Sequence, residues 1–127
     1  MRLITGGLYQ GKREFVRKKY GITPNDIFDV DKCPFSAIYS RKCIDNYDRI
    51  IKILTEKNEN PFLFTEQLIK NNPDVIIIMN EIGNGIIPIE KSERVWREQV
   101  GKIGCILAEH SETVERIVCG TVIILKE

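Results

Sequence analysis

The chain has 127 residues, with 19 Lys plus Arg against 18 Asp plus Glu and a formal net charge of +1. That balance excludes the large basic excess of a nucleic-acid-coating or membrane-surface protein, so neither nucleic acid nor membrane is an expected partner. With 43% hydrophobic and 29% charged residues, the composition is that of a soluble globular protein, and the length suits one domain over 1–127.

The opening MRLITGGLYQGKREF lacks an apolar stretch of signal-peptide length. The apolar run Val75–Met79 is far short of the ~20 residues that span a bilayer. A cytoplasmic location is the expectation. Cys33, Cys43, Cys105 and Cys119 form no CxxC pair and read as reduced, mostly buried thiols.

Arg2–Thr5 predicts a first strand that ends at Gly6-Gly7. Lys12 to Tyr20 predicts a short helix, closed by Gly21. After a turn over Ile22–Asn25, Asp26–Asp31 predicts a second strand. From Ser36 to Lys57, Ile44, Tyr47, Ile50, Ile51 and Leu54 recur at helical spacing. Phe64, Leu68 and Ile69 suggest a second short helix before Asn71-Asn72-Pro73.

Asp74–Met79 is a continuous β-branched run, the pattern of a central parallel strand buried on both faces. Asn80–Pro88 is a glycine-rich loop. Ser92 to Ser111 predicts a long helix with Trp96, Val100, Ile103 and Leu107 on its apolar stripe. Gly101 and Gly104 inside it would suit close packing, including at a subunit interface. Val114–Cys119 and Thr121–Lys126 predict two final strands about Gly120. The order β-α-β-α-β-α-β-β is that of an α/β protein with a mostly parallel sheet.

The segment Gly6-Gly7-Leu8-Tyr9-Gln10-Gly11-Lys12-Arg13 fits GxxxxGK between a predicted strand and a predicted helix. In such a loop the glycines let successive backbone N–H groups face phosphate oxygens, and the lysine neutralises phosphate charge. Gly6, Gly7, Tyr9, Gln10, Gly11, Lys12 and Arg13 are therefore the candidate nucleotide-binding residues. A Ser or Thr should follow the lysine and bind Mg²⁺. Arg13 stands there instead, and a guanidinium cannot ligate a cation. The alternative is a glycine turn with a solvated Lys-Arg pair.

Asp31, at the end of a predicted strand, is a candidate Mg²⁺ ligand, and so is Glu81 after the buried third strand. Glu81 is also a candidate catalytic residue beside Lys12. It lies within Asn80-Glu81-Ile82-Gly83-Asn84-Gly85, at the strand edge where open parallel sheets bind ligands. Asn80, Gly83 and Gly85 are taken with it. Arg94 and Arg97 share a helix face and could reach a phosphate, although Glu90, Glu93 and Glu98 suggest a solvated face. His110, the only histidine, reads as a surface residue at a helix C-terminus.

Thr5-Gly6-Gly7, Gly11-Lys12 and Asn80-Glu81-Ile82-Gly83-Asn84-Gly85-Ile86-Ile87-Pro88 resemble the adenosylcobinamide kinase/adenosylcobinamide-phosphate guanylyltransferase family of cobalamin biosynthesis. The second motif matches the family pattern throughout. Arg94, Trp96-Arg97-Glu98, Gly101-Lys102 and Leu107-Ala108 are similar to the family's C-terminal helix. Val118-Cys119-Gly120 with Ile124-Leu125-Lys126 is similar to its last strands, and Val30-Asp31-Lys32-Cys33 resembles a degraded strand end. The resemblance is clear over Met1–Tyr20 and Asp74–Glu127 and weak between them.

The resemblance implies a P-loop NTPase-like three-layer fold, reduced relative to longer family members, and a homo-oligomer. It implies GTP or ATP as cofactor, Mg²⁺ as a possible second, and a corrinoid as substrate. It also implies phosphoryl transfer to adenosylcobinamide and guanylyl transfer through a histidine. The strand and the histidine-bearing segment that follow the family's first helix have no counterpart here, so guanylyl transfer through histidine reads as lost. Two alternatives stand beside an active kinase. One is a catalytically impaired P-loop protein with a regulatory or interaction role, and the other is a P-loop kinase for another small molecule.

Overall fold

The computed structural model describes residues 1–82 and 90–127. Strand β1 (Arg2–Gly6) leads through a five-residue loop into helix α1 (Lys12–Tyr20). A 3₁₀ turn over Pro24–Asp26 precedes the two-residue strand β2 (Ile27–Phe28). A second 3₁₀ turn over Phe35–Tyr39 precedes β3 (Cys43–Ile44). Then come α2 (Tyr47–Glu56), α3 (Pro61–Asn71) and β4 (Ile76–Asn80). Helix α4 (Lys91–His110) and the strands β5 (Thr113–Val118) and β6 (Thr121–Lys126) complete the order.

The strands form one sheet in the order β2-β3-β4-β1-β5-β6. All pairings are parallel except β5 with β6. The fold is α/β with a three-layer arrangement of the P-loop kind. Strand alternation divides the interior into two cores. Ile4, Ile76, Ile78 and Ile117 pack with Val16 of α1 on one face of the sheet. Leu3, Ile77, Met79 and Val114 pack on the other face with Ile50, Ile51 and Leu54 of α2, Leu68 of α3, and Val100, Ile103 and Leu107 of α4. Every residue of β4 is buried, as a strand covered by helices on both sides requires.

Two expectations are corrected here. The predicted strand Asp26–Asp31 is a 3₁₀ turn followed by only two strand residues, and Asp31 lies beyond them. The predicted helix from Ser36 to Lys57 is interrupted by β3, and its regular part begins at Tyr47. The break falls at Asn46, whose φ of 52° ends any continuous helical path. Two short strands thus occupy the stretch between α1 and α2.

At Gly104 an added Cβ would stand 2.9 Å from Met79 Cε, so the flexible end of that side chain would have to shift. Gly101 opens on free space. Cys43 is buried, Cys33 half-buried, and Cys105 and Cys119 exposed, all as free thiols; the expectation of mostly buried thiols is corrected, since two of the four lie on the surface. Burial pushes the Cys43 thiol up to about 12. Among the described residues no helix is long and apolar enough to cross a membrane.

Candidate functional site

The parallel register brings the C-terminal ends of β3, β4 and β1 to one edge. Gly6 pairs with Asn80, and Ile44 pairs with Ile77, three residues earlier along β4. Past those ends come the loop Gly7–Gly11, the residues Asp45 and Asn46, and Glu81. Between them lies a cleft of about 310 Å³ lined by Leu8 through Glu14, Asp45, Asn46 and Asn80.

Gly6 starts the loop with φ 150°, where an added Cβ would sit 2.5 Å from the Ile117 carbonyl oxygen. Only glycine lets β1 turn away while still touching β5. Tyr9 at φ 59° and Gly11 at φ 90° complete the turn. The Tyr9 side chain is fully exposed. Gln10 ties the loop tip to the β5–β6 turn: its side-chain oxygen accepts the Cys119 N–H, and its carbonyl accepts the Gly120 N–H at 3.0 Å.

Helix α1 then begins at Gly11 with no side chain capping its first turn. Helix α2 begins the same way, at Asn46. Both starts border the cleft, and uncapped first-turn N–H groups with the positive end of the helix dipole form an anion-binding feature.

Lys12 is only 7% exposed. Its amine donates to the Gly7 carbonyl, folding back onto the loop that precedes it. Burial pulls its pKa below the ordinary lysine value, against the opposing charges of Asp45, Asp48 and Glu81.

The acids around the cleft are already engaged. Asp45, 5% exposed at the end of β3, has its Oδ2 3.1 Å from Arg13 Nε. Burial raises its pKa, and Arg13 offsets part of that rise. Asp48 accepts from the Asn80 N–H at 3.1 Å, and the Asn80 amide also donates to Asn46 at 2.9 Å. Glu81 donates its N–H to the Gly6 carbonyl at 2.9 Å. Its carboxylate takes both Nε and Nη2 of Arg116, at 2.6 and 3.0 Å.

Of the candidate residues, Gly6, Gly7, Tyr9, Gln10, Gly11, Lys12, Arg13, Asn80 and Glu81 therefore gather at one sheet edge. Asp31 does not line the cleft. It sits on an exposed turn with its carboxylate 2.7 Å from Arg49 Nη1. Arg94 is exposed on α4, and Arg97 reaches Glu93 one turn back at 3.7 Å; neither lines the cleft. Gly83 and Gly85 lie outside the described residues. Asp45 and Arg116 are the residues that sequence reading missed. For Asp45 a signal existed, since Cys43-Ile44 is an apolar pair followed by the turn formers Asp45-Asn46.

The family model for cobinamide kinase / cobinamide phosphate guanyltransferase matches residues 43–125, well over half of the chain. The chain belongs to this family. That membership supports a role in cobalamin biosynthesis for this cobinamide kinase / cobinamide phosphate guanyltransferase family member, and the family binds nucleotides. No curated protein matches the chain. The match begins at β3 and takes in Asp45, the α2–α3 stretch, Asn80-Glu81 and all of α4. It leaves out the loop Gly7–Gly11 and Val30–Cys33. The weakly resembling middle of the chain is thus matched from Cys43 onward, whereas Met1–Tyr20 rests on its own residues and geometry.

A Mg²⁺ ion is implied for such nucleotide sites. Magnesium keeps most of its waters and needs only one or two carboxylates besides the phosphates, in strict octahedral geometry. Among the described residues, Asp45 is the one buried carboxylate lining the cleft, and it is held by Arg13. Glu81 is held through both oxygens by Arg116. The position after Lys12 offers a guanidinium instead of a hydroxyl. These residues do not fit the ion.

Proposed function

We propose that this chain is one nucleotide-binding domain that holds the phosphates of GTP or ATP on the loop Gly6–Gly11 and acts with a corrinoid in its family's pathway. The observation that carries the reading is Lys12. A buried lysine that donates to its own loop carbonyl keeps an ammonium at the mouth of the loop, where a phosphate oxygen can replace that carbonyl. The first-turn N–H groups of α1 and the loop amides supply the remaining donors. Asn80 and Asp48 brace the floor through hydrogen bonds.

Guanylyl transfer through a histidine has no support. The single histidine, His110, ends α4 just before β5, and Glu112 there bonds the Met1 carbonyl at 2.9 Å. That is the sheet edge opposite the loop. Phosphoryl transfer to adenosylcobinamide is the second reading, favoured by Glu81 standing at the loop's edge. It depends on charge stabilisation of the transferred group, and the engagement of Glu81 by Arg116 favours binding with little turnover.

Calorimetric titration of GTP and ATP into wild type and Lys12→Ala tests the reading. Wild type is expected to bind at least one of them, and Lys12→Ala to bind about tenfold more weakly or worse. Absence of binding to wild type rejects the reading. Turnover on adenosylcobinamide that survives Lys12→Ala would show that the site lies elsewhere.

A further inference from the structure

We infer that the guanidinium of Arg13, held against Asp45, takes the place of a divalent cation in this cleft, so that a nucleoside triphosphate binds without Mg²⁺. This rests on the reading of the loop as a nucleotide site. Three observations carry it.

Arg13 follows Lys12 in the first turn of α1, so its charge starts within one residue of the phosphate-facing lysine. Its Nε lies 3.1 Å from Asp45 Oδ2, and both residues line the same cleft as Lys12. A cation entering between them would have to displace a guanidinium from a carboxylate that is 5% exposed, and a buried carboxylate separated from its partner is costly to leave alone.

The second observation is that the pattern repeats. Glu81, the other carboxylate at this sheet edge, is chelated by Arg116 through Nε and Nη2. At Asp45 and at Glu81 an arginine occupies the carboxylate where a hard cation would need it, while Asp48 accepts from the Asn80 N–H and side-chain amide.

The third is the chemistry left over. A guanidinium carries five N–H donors in a rigid plane. In Arg13 the nitrogen nearest Asp45 is Nε, and about half of the side chain remains exposed. The other nitrogens belong to the edge that suits bidentate contact with phosphate oxygens. One residue can thus do two jobs that a metal does elsewhere. It neutralises Asp45, and it presents positive charge to the phosphates.

The test compares GTP and ATP binding in excess EDTA and in excess MgCl₂ by calorimetry. For wild type, dissociation constants equal within about threefold in the two buffers are expected. For Arg13→Ser, with folding checked by circular dichroism, binding in EDTA should fall at least about tenfold below binding in MgCl₂. Wild-type binding about tenfold or more tighter with Mg²⁺ overturns the inference and leaves the loop as the site. Arg13→Ser binding equally well in both buffers also overturns it, because some other group then replaces the ion. Wild type that binds in neither buffer rejects the underlying reading instead. Should Arg13→Ser fail to fold, the wild-type comparison decides alone.

Discussion

The Cys119 backbone N–H donates to the Gln10 side-chain oxygen at 2.6 Å, across 109 positions of sequence. With the Gly120 N–H on the Gln10 carbonyl, this makes the β5–β6 turn a brace for the loop Gly7–Gly11. The turn can approach so closely because Cys119 and Gly120 both adopt positive φ, at 50° and 75°. That is the two-residue hairpin conformation whose twist suits antiparallel strands.

Removing the brace should loosen the loop more than it destabilises the fold. Gln10→Ala is expected to cost about 1 kcal/mol in a urea melt, the usual size of one side-chain hydrogen bond. Hydrogen exchange at the Cys119 amide should quicken, while amides in β4 stay protected. An unchanged Cys119 rate would mean that the contact does not hold the turn in solution.

Gly6 has no tolerated replacement. The Cβ of Gly6→Ala would meet the Ile117 carbonyl at 2.5 Å, and backbone cannot swing aside as a side chain can. The expected loss is on the order of 3 kcal/mol, read as a lower denaturation midpoint. Gly101→Ala, facing open space on α4, should instead stabilise by roughly 0.5–1 kcal/mol through helix propensity.

Asp45 predicts a pH effect with a defined sign. Burial holds its carboxyl above the ordinary 3.8, with Arg13 offsetting part of the rise. The fold therefore disfavours the ionised form. This group's favourable contribution is complete below the unfolded value and is lost as pH rises through the raised folded value. Asp45→Asn should remove that decline. Urea midpoints across the acid range would check it, and an identical slope in wild type and variant would assign the effect to another group.

Arg116 and Glu81 are partly exposed, so breaking their pair should leave the denaturation midpoint nearly unchanged. Its effect belongs to the cleft. Arg116→Gln leaves the Glu81 charge uncompensated at the edge of the proposed nucleotide site, and GTP affinity should fall by up to about tenfold. Adding Glu81→Gln to it should restore the affinity. A doubly substituted protein as weak as Arg116→Gln would show that Arg116 acts through something other than Glu81.

Much of the frame was readable from residues because it is local. The run Val75–Met79 announced a strand buried on both sides, and β4 is that strand. Lys12–Tyr20 and the Gly21 stop were readable as a helix, and α1 has those bounds. The expected Ser92–Ser111 helix is α4, displaced by one residue. The two-residue strands β2 and β3 are too short to show any period. The helical spacing of Ile44, Tyr47, Ile50 and Leu54 runs straight across the break at Asn46, which hid Asp45 inside an apparent helix. The Arg13–Asp45 and Glu81–Arg116 pairs join residues 32 and 35 positions apart, and nothing local in the sequence encodes such pairings. They are set by the order of strands in the sheet.

Two helices start at the same cleft, each entered through a left-handed residue and each with its first amides uncapped. The resulting pull on anions is a property of the main chain. No single side-chain substitution can erase it, and on the proposed reading a protein of net charge +1 needs no basic surface to draw phosphate there. Lys12→Ala should therefore leave a weak, salt-sensitive remnant of binding at the same place. The lysine sharpens an attraction that the backbone already provides.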